Sequence, residues 1–239
     1  MIGISFLTVR PHNTLFNFCE DLIMDGYEIY VTIDDNEYCE PEHNPKIQII
    51  KLNNKNCEDE GFKSTVSWLN EKACSRDKAL YYFCKINKKC SHVWFIEEDV
   101  FVPTSLTIKL IDEKYLTGDL LSAKHMIKND KIENWHWGLI FRQTSLQLPY
   151  ARSMICAIRV SDKLLRCIEK YADENKNLFM NEALFNTIAL HNSLEIIQPT
   201  ELAGIVWRYD WQINEINKFC LYHPIKNIST QWIFRKALE

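Results

Sequence analysis

His92-Val93-Trp94-Phe95-Ile96-Glu97-Glu98-Asp99-Val100 decides how this chain is read. Val93 to Ile96 is an apolar, aromatic and β-branched run, the pattern of a strand buried on both faces. Three acids then follow without a break. A carboxylate kept charged away from water needs a donor, a cation or a metal. A divalent metal with oxygen ligands, holding a phosphate-bearing substrate at the sheet's C-terminal edge, answers that need. Alternation along an extended chain sends Glu97 and Asp99 to one side, as two ligands of one Mn²⁺ or Mg²⁺, and Glu98 to the other, towards a basic partner. A solvated acidic turn is the plain alternative.

Upstream, Ile2 to Thr8 is β-branched and apolar and predicts the first strand. Asn13 to Asp25 predicts a helix with Asn13 as cap and Gly26 as stop; Phe16, Cys19, Leu22 and Ile23 recur at helical spacing. Glu28 to Ile33 and Lys46 to Leu52 predict two more strands. This strand–helix–strand order implies a mainly parallel sheet. Asn53 to Glu60 is polar and predicts a loop, and Ser64 to Asn70 a short helix. Ser75 to Lys88 predicts a helix whose Ala79, Tyr82, Phe83 and Ile86 share a face.

Downstream, Thr104 to Asp112 predicts a helix and Asp119 to Ala123 a strand. Met154 to Val160 predicts a strand, Ser161 to Ala172 a helix capped by Ser161, Asn181 to Ala189 a helix capped by Asn181, and Leu194 to Ile197 a short strand. The tail from Thr200 is irregular and aromatic. No linker or repeat interrupts the sequence, so a single domain over 1–239 is expected, with a first half at 1–123 and a second at 124–239.

Several short motifs carry chemistry. In Ser75-Arg76-Asp77-Lys78, basic groups at a helix start oppose the macrodipole, a cost that an anionic ligand would offset; an internal Arg/Asp pair is the alternative. Asp34-Asp35 after the second strand reads as acceptors for a ribose or base, or as turn formers. Trp135-His136-Trp137 offers indole faces for a sugar or base, or is a core strand. Glu182 in the first turn of a helix reads as a general base or as part of a cap. In Tyr222-His223-Pro224-Ile225-Lys226, His223 is a candidate metal ligand and Lys226 a candidate diphosphate partner.

The composition fits an α/β enzyme-sized domain: 239 residues, 46% hydrophobic, 12% aromatic. Net charge is -4 with scattered basic residues, which disfavours nucleic acid as the partner. No apolar run is long enough to span a bilayer, and Met1 to Arg10 lacks the pattern of a signal peptide. The 9 cysteines include no CxxC pair, so a zinc knuckle is not expected, and reduced thiols in a cytoplasmic protein are.

Taken in order, Thr8 and Arg10, Asp34 and Asp35, Arg76-Asp77-Lys78, Glu97-Glu98-Asp99, Glu182 and His223-Pro224-Ile225-Lys226 resemble the motifs of nucleotide-sugar-dependent glycosyltransferases of the GT-A fold. The size and composition resemble those encoded by large DNA viruses, which would place the protein in a host cytoplasm. The resemblance implies a Rossmann-like α/β fold with a central, mostly parallel sheet flanked by helices. It implies a UDP- or GDP-sugar donor contacted by Thr8, Arg10, Asp34, Asp35, Arg76, Lys78 and Lys226. It also implies Mn²⁺ or Mg²⁺ on Glu97, Asp99 and His223, and transfer with inversion to a glycan or other hydroxyl acceptor. Glu182 falls where inverting members place their base, with Asp210 in reserve. Trp135, Trp137, Trp207 and Trp211 are candidates for the acceptor wall. The first acid of the DxD-type motif is Glu97 here, and Asn181 replaces the middle acid of the base motif. A catalytically silent sugar- or protein-binding module of the same fold, and a metal-dependent phosphohydrolase or nucleotidyltransferase, are the other readings.

Overall fold

β1 (Ile2–Thr8) leads into α1 (Asn13–Asp21), which returns the chain to β2 (Tyr27–Ile33) in parallel beside β1. β3 (Ile47–Ile50) adds to β2, again in parallel. After α2 (Asn54–Asp59) and α3 (Ser75–Tyr81), β4 (His92–Glu97) enters on the other side of β1. Then come α4 (Ser105–Lys114), β5 (Leu120–Leu121), β6 (Met126–Ile127), α5 (Trp137–Gln143), β7 (Ala151–Arg152) and β8 (Ala157–Ser161). The chain ends with α6 (Asp162–Asn175), α7 (Asn181–His191), β9 (Ile196–Ile197), β10 (Gly204–Ile205), β11 (Tyr222–His223) and α8 (Ile228–Leu238). This is a computed structural model, and it describes residues 1–64, 72–128 and 135–239.

The central sheet has 7 strands in the order β3-β2-β1-β4-β8-β5-β9. It draws strands from both halves of the chain. Its left side is parallel, but β8 runs antiparallel to both β4 and β5. That inversion matters for the site. It sets the beginning of β8 against the end of β4, so residues before Ala157 lie beside Glu97.

β4 is the spine of the core because both its faces are covered. Phe95 packs with Phe83, Ile158 and Phe185 on one side, while Trp94 and Ile96 pack with Ile4, Phe6 and Ala157 on the other. Val93 to Ile96 are all 0% exposed; full burial of such side chains contributes roughly 2 kcal/mol each. On the Trp94 face, one buried carboxylate ties four elements together. Asp112 of α4 accepts from Tyr27 Oη of β2 (2.8 Å), Trp94 Nε1 of β4 (3.1 Å) and Arg159 Nη1 of β8 (2.7 Å).

The local expectations meet several corrections. Asn53 to Glu60 is not a loop: Asn53 accepts from the Lys55 N–H and caps α2. α3 does not run on as one α-helix; a π-helical turn over Tyr82–Ile86 adds a residue to the turn and leaves Ile86 exposed while Phe83 is buried. α1 is capped by His12, not Asn13, and ends at Asp21, before Gly26. Trp137 belongs to a helix instead of a strand, and Asn181 is the first residue of α7 while Met180 takes the cap position. Ser161 does cap α6, accepting from the Leu164 N–H at 3.1 Å. The helix expected over Ser64 to Asn70 lies, beyond Ser64, outside the described residues.

Candidate active site

The C-terminal edge of β1, β2 and β4 gathers most of the residues singled out by sequence. Where β1 and β2 end, the chain stays zipped: the Asp34 N–H donates to the Thr8 carbonyl (2.9 Å) and the Asp35 N–H to the Val9 carbonyl (3.2 Å). Arg10 is exposed and pairs with Asp35 at 2.5 Å. The Glu37 N–H and then Arg10 hold the Asp35 carboxyl below the usual carboxylate range. Asp34 goes the other way, raised by burial against the opposing pull of Lys78.

Lys78 sits differently from expectation. It is 0% exposed. Its ammonium reaches under the sheet edge to the Asp34 carbonyl, Asn36 Oδ1 (3.0 Å) and the Asp34 carboxylate (3.7 Å). It braces the β2 end from beneath, and burial lowers its pKa. Asp77, also buried, caps its own helix by accepting from the Cys74 N–H at 3.0 Å and receives the Ser64 N–H at 3.2 Å. The pairing of Arg76 with Asp77 that sequence left open does not occur: Arg76 points to β4, donating to Glu97 Oε1 and to the Ile155 carbonyl (2.8 Å).

In the acidic turn, Glu97 and Asp99 do separate from Glu98. Among the described residues Glu98 has no basic partner; it accepts from Thr8 Oγ1, and burial and then Asp99 push its carboxyl up. Thr8 is thereby a support of the turn. Asp99 meets His223, with Oδ2 at 3.4 Å from Nε2. The other ring nitrogen lies 2.6 Å from the Val206 carbonyl. That contact fixes Nδ1 as the protonated nitrogen in the neutral ring and leaves the Nε2 lone pair facing the acids. Burial lowers the His223 pKa, but Asp99 and the Val206 carbonyl outweigh it and leave the pKa raised.

His223 reaches the acids because the C-terminal segment is stitched to the turn. Phe101 and Tyr222 exchange backbone hydrogen bonds of 2.8 and 3.2 Å, and the Ile225 N–H donates to the Asp99 carbonyl at 2.7 Å. Gln231 Nε2 of α8 donates to the Glu98 carbonyl at 2.9 Å. Sequence reasoning missed Gln231. It missed Cys156 as well, whose ligand atom and those of Glu97 and His223 all lie within 4.8 Å of one another.

Next to the acids is a cavity of about 680 Å³. Its lining includes Arg76 and Glu97, Asn181 and Glu182 from the start of α7, and Trp135, His136, Arg152 and Trp207, with Met154, Ile155 and Met180 among its apolar residues. Burial raises the Glu182 carboxyl against the opposing pull of Arg152, Arg76 and His136. Asn181 Oδ1 is buried and finds no hydrogen-bond partner among the described residues. Two of the four tryptophans line this cavity. Trp137 is buried in the core instead, and Trp211 packs on Tyr222 while donating to the His223 carbonyl at 3.1 Å. Asp210 is exposed and is not among the cavity's lining residues; Lys226 is exposed, one residue beyond Ile225.

No protein-family model matches the sequence, and no curated protein matches it. Solved structures do resemble it. An active-site mutant of LgtC aligns with TM-score 0.51 at 10% identity, over 99% of this chain and 96% of that one. The galactosyltransferase LgtC with donor and acceptor sugar analogs aligns with TM-score 0.48 at 11% identity, over the same shares. No described helix is long and apolar enough to cross a membrane. The likeness to the LgtC mutant, over nearly the full length of both chains, and the parallel-rich sheet flanked by helices give this chain the GT-A fold.

Proposed function

We propose that the chain is a glycosyltransferase that moves a sugar from a nucleoside diphosphate to an acceptor hydroxyl. One observation carries the reading: Arg76, Glu97 and Glu182 face one cavity at the end of the central strand, with the Asp99–His223 pair beside it. LgtC, whose fold this chain shares, is a galactosyltransferase.

The residues fit a divalent cation. Two carboxylates and an imidazole with its Nε2 lone pair turned towards them suit Mn²⁺ or Mg²⁺. Asp99, Glu97 and His223 would hold it, and when bound it would neutralise the diphosphate of the leaving nucleotide. Arg76 supplies a fixed positive charge beside the same phosphates. Arg10, Asp34 and Asp35 edge the nucleoside side, with Lys78 and Thr8 bracing them from below. UDP and GDP are the nucleotides to test.

Glu182 takes the acceptor proton. Its carboxylate stands in the cavity on a helix start, and its raised pKa makes it a stronger base than an exposed glutamate. Trp135 and Trp207 offer flat apolar faces for an acceptor glycan. A base on the acceptor side predicts inversion at the anomeric carbon. Glu182→Gln should leave donor binding intact and remove transfer by a factor of about 10²–10⁴. Full transfer by that variant, or a product of retained configuration, would take the base role from Glu182.

A further inference from the structure

Cys156 is the residue at the acids that the transferase reading does not use. It precedes β8 and lies opposite Glu97, one step beyond the Ile96–Ala157 pair of the antiparallel ladder; the Glu97 N–H donates to the Cys156 carbonyl at 2.8 Å. Side chains directly opposite on such a pair share a face of the sheet. His223 arrives on the same spot from β11. A sulfur, an imidazole nitrogen and a carboxylate oxygen thus converge from three separate elements, all within 4.8 Å.

We propose that this pocket binds a borderline divalent cation of the zinc class, through Cys156 Sγ, His223 Nε2 and a Glu97 oxygen, in preference to Mg²⁺. The inference shares its place with the cation of the reading above but does not need sugar transfer to be right. Donors of a tetrahedral zinc site, with bonds of about 2.0–2.3 Å, stand about 3.3–3.8 Å apart, so the three atoms need to close by at most about 1.5 Å. A mixed S, N and O set favours Zn²⁺ and Co²⁺, whereas Mg²⁺ prefers oxygen alone. The second imidazole nitrogen is already anchored on the Val206 carbonyl, as metal-bound histidines require. Asp99 Oδ2, 3.4 Å from His223 Nε2, is within reach as a fourth donor. On binding, the thiol releases its proton to solvent as the sulfur–metal bond forms, and no electron is exchanged. Arg76, paired with Glu97, offsets part of the negative charge gathered there.

The test is a titration of the metal-free full chain with Co²⁺, read by absorbance, followed by competition with Zn²⁺. A sulfur-to-cobalt charge-transfer band in the near ultraviolet is expected, abolished by Zn²⁺. Cys156→Ser should remove the band and weaken Zn²⁺ binding by more than the about 10-fold that loss of an outer-shell partner costs, while Mn²⁺ affinity, carried by oxygen and nitrogen, changes less than about 3-fold. His223→Gln, which leaves the thiol in place, should also lose the band. A band that survives in Cys156→Ser, or no band in the unaltered chain, would overturn the proposal. A cobalt band in a chain that fails to bind UDP with Mn²⁺ would uphold the thiol ligand and remove only the transferase reading.

Discussion

His223 Nε2 and Asp99 Oδ2 stand 3.4 Å apart, joining the C-terminal segment to the end of the central strand. Without a metal, this is an ion pair whenever the ring is protonated. The His223 pKa is raised above 6.5 in the folded chain. A raised native pKa means that the pair's stabilisation is fully present below 6.5 and is lost as pH rises through the higher native value. The stability difference between the unaltered chain and His223→Gln should therefore shrink with rising pH. Thermal denaturation of both proteins from pH 5 to 9 checks this; a difference that grows with pH would contradict it.

Cation binding should have the opposite slope. A metal needs the neutral ring, so protons compete with it. Mn²⁺ affinity should rise as pH passes the raised His223 value and then level off. Isothermal titration across pH measures it, and a flat profile would remove His223 from the ligand set.

Lys78 is predicted to be structural support, not a phosphate contact. Lys78→Met removes the donor to the Asp34 carbonyl and Asn36 and leaves Asp34 half-buried without its cation. Loss of a buried partner costs about 3–5 kcal/mol; about 2–3 is expected here because Asp34 still reaches water. Denaturant titration reads the loss. Unchanged stability with weakened nucleotide binding would show the lysine to be a ligand contact after all.

Asp112→Ala should be among the most damaging single changes far from the cavity. It strips the acceptor from Tyr27, Trp94 and Arg159 at once and leaves a buried guanidinium without its carboxylate, held only by the Tyr115 and Gly118 carbonyls. A loss of about 3–5 kcal/mol is expected. Asp112→Asn, which keeps one acceptor oxygen, should recover part of it in the same unfolding measurement.

If the chain transfers sugar as proposed, the rate should show an acidic limb set by Glu182. Its carboxyl titrates above 4.5, and only the ionised form takes a proton. The rate should rise with pH through that raised value, and Glu182→Gln should flatten the limb. A limb unchanged in the variant would assign it to another group.

The parts of this molecule legible in sequence are those fixed by local pattern. The apolar runs of β1, β2 and β4 and the Ser161 cap need only neighbours along the chain. The acids at 97–99 are legible because three carboxylates at the end of a buried strand need compensating partners. What stayed hidden depends on pairing across distance. Nothing local says that β8 runs antiparallel to β4, and that direction alone brings Cys156 to Glu97. The burial of Lys78 depends on how α3 lies under the sheet, and α2 is hidden in the polar Asn53 to Glu60 stretch because Cys57 is its one buried residue and no apolar stripe marks it. His223 is legible as a candidate metal ligand and the resemblance brings it to the acids, while the ladder that takes it there, Phe101 with Tyr222, is invisible in sequence.

The most direct measurement is calorimetry of UDP and GDP binding, with and without Mn²⁺, to the unaltered chain and to Asp99→Ala. The account predicts that at least one nucleotide binds tightly only with Mn²⁺ and that Asp99→Ala loses that metal-dependent increment. Equal affinity in the variant, or binding indifferent to the cation, would contradict it.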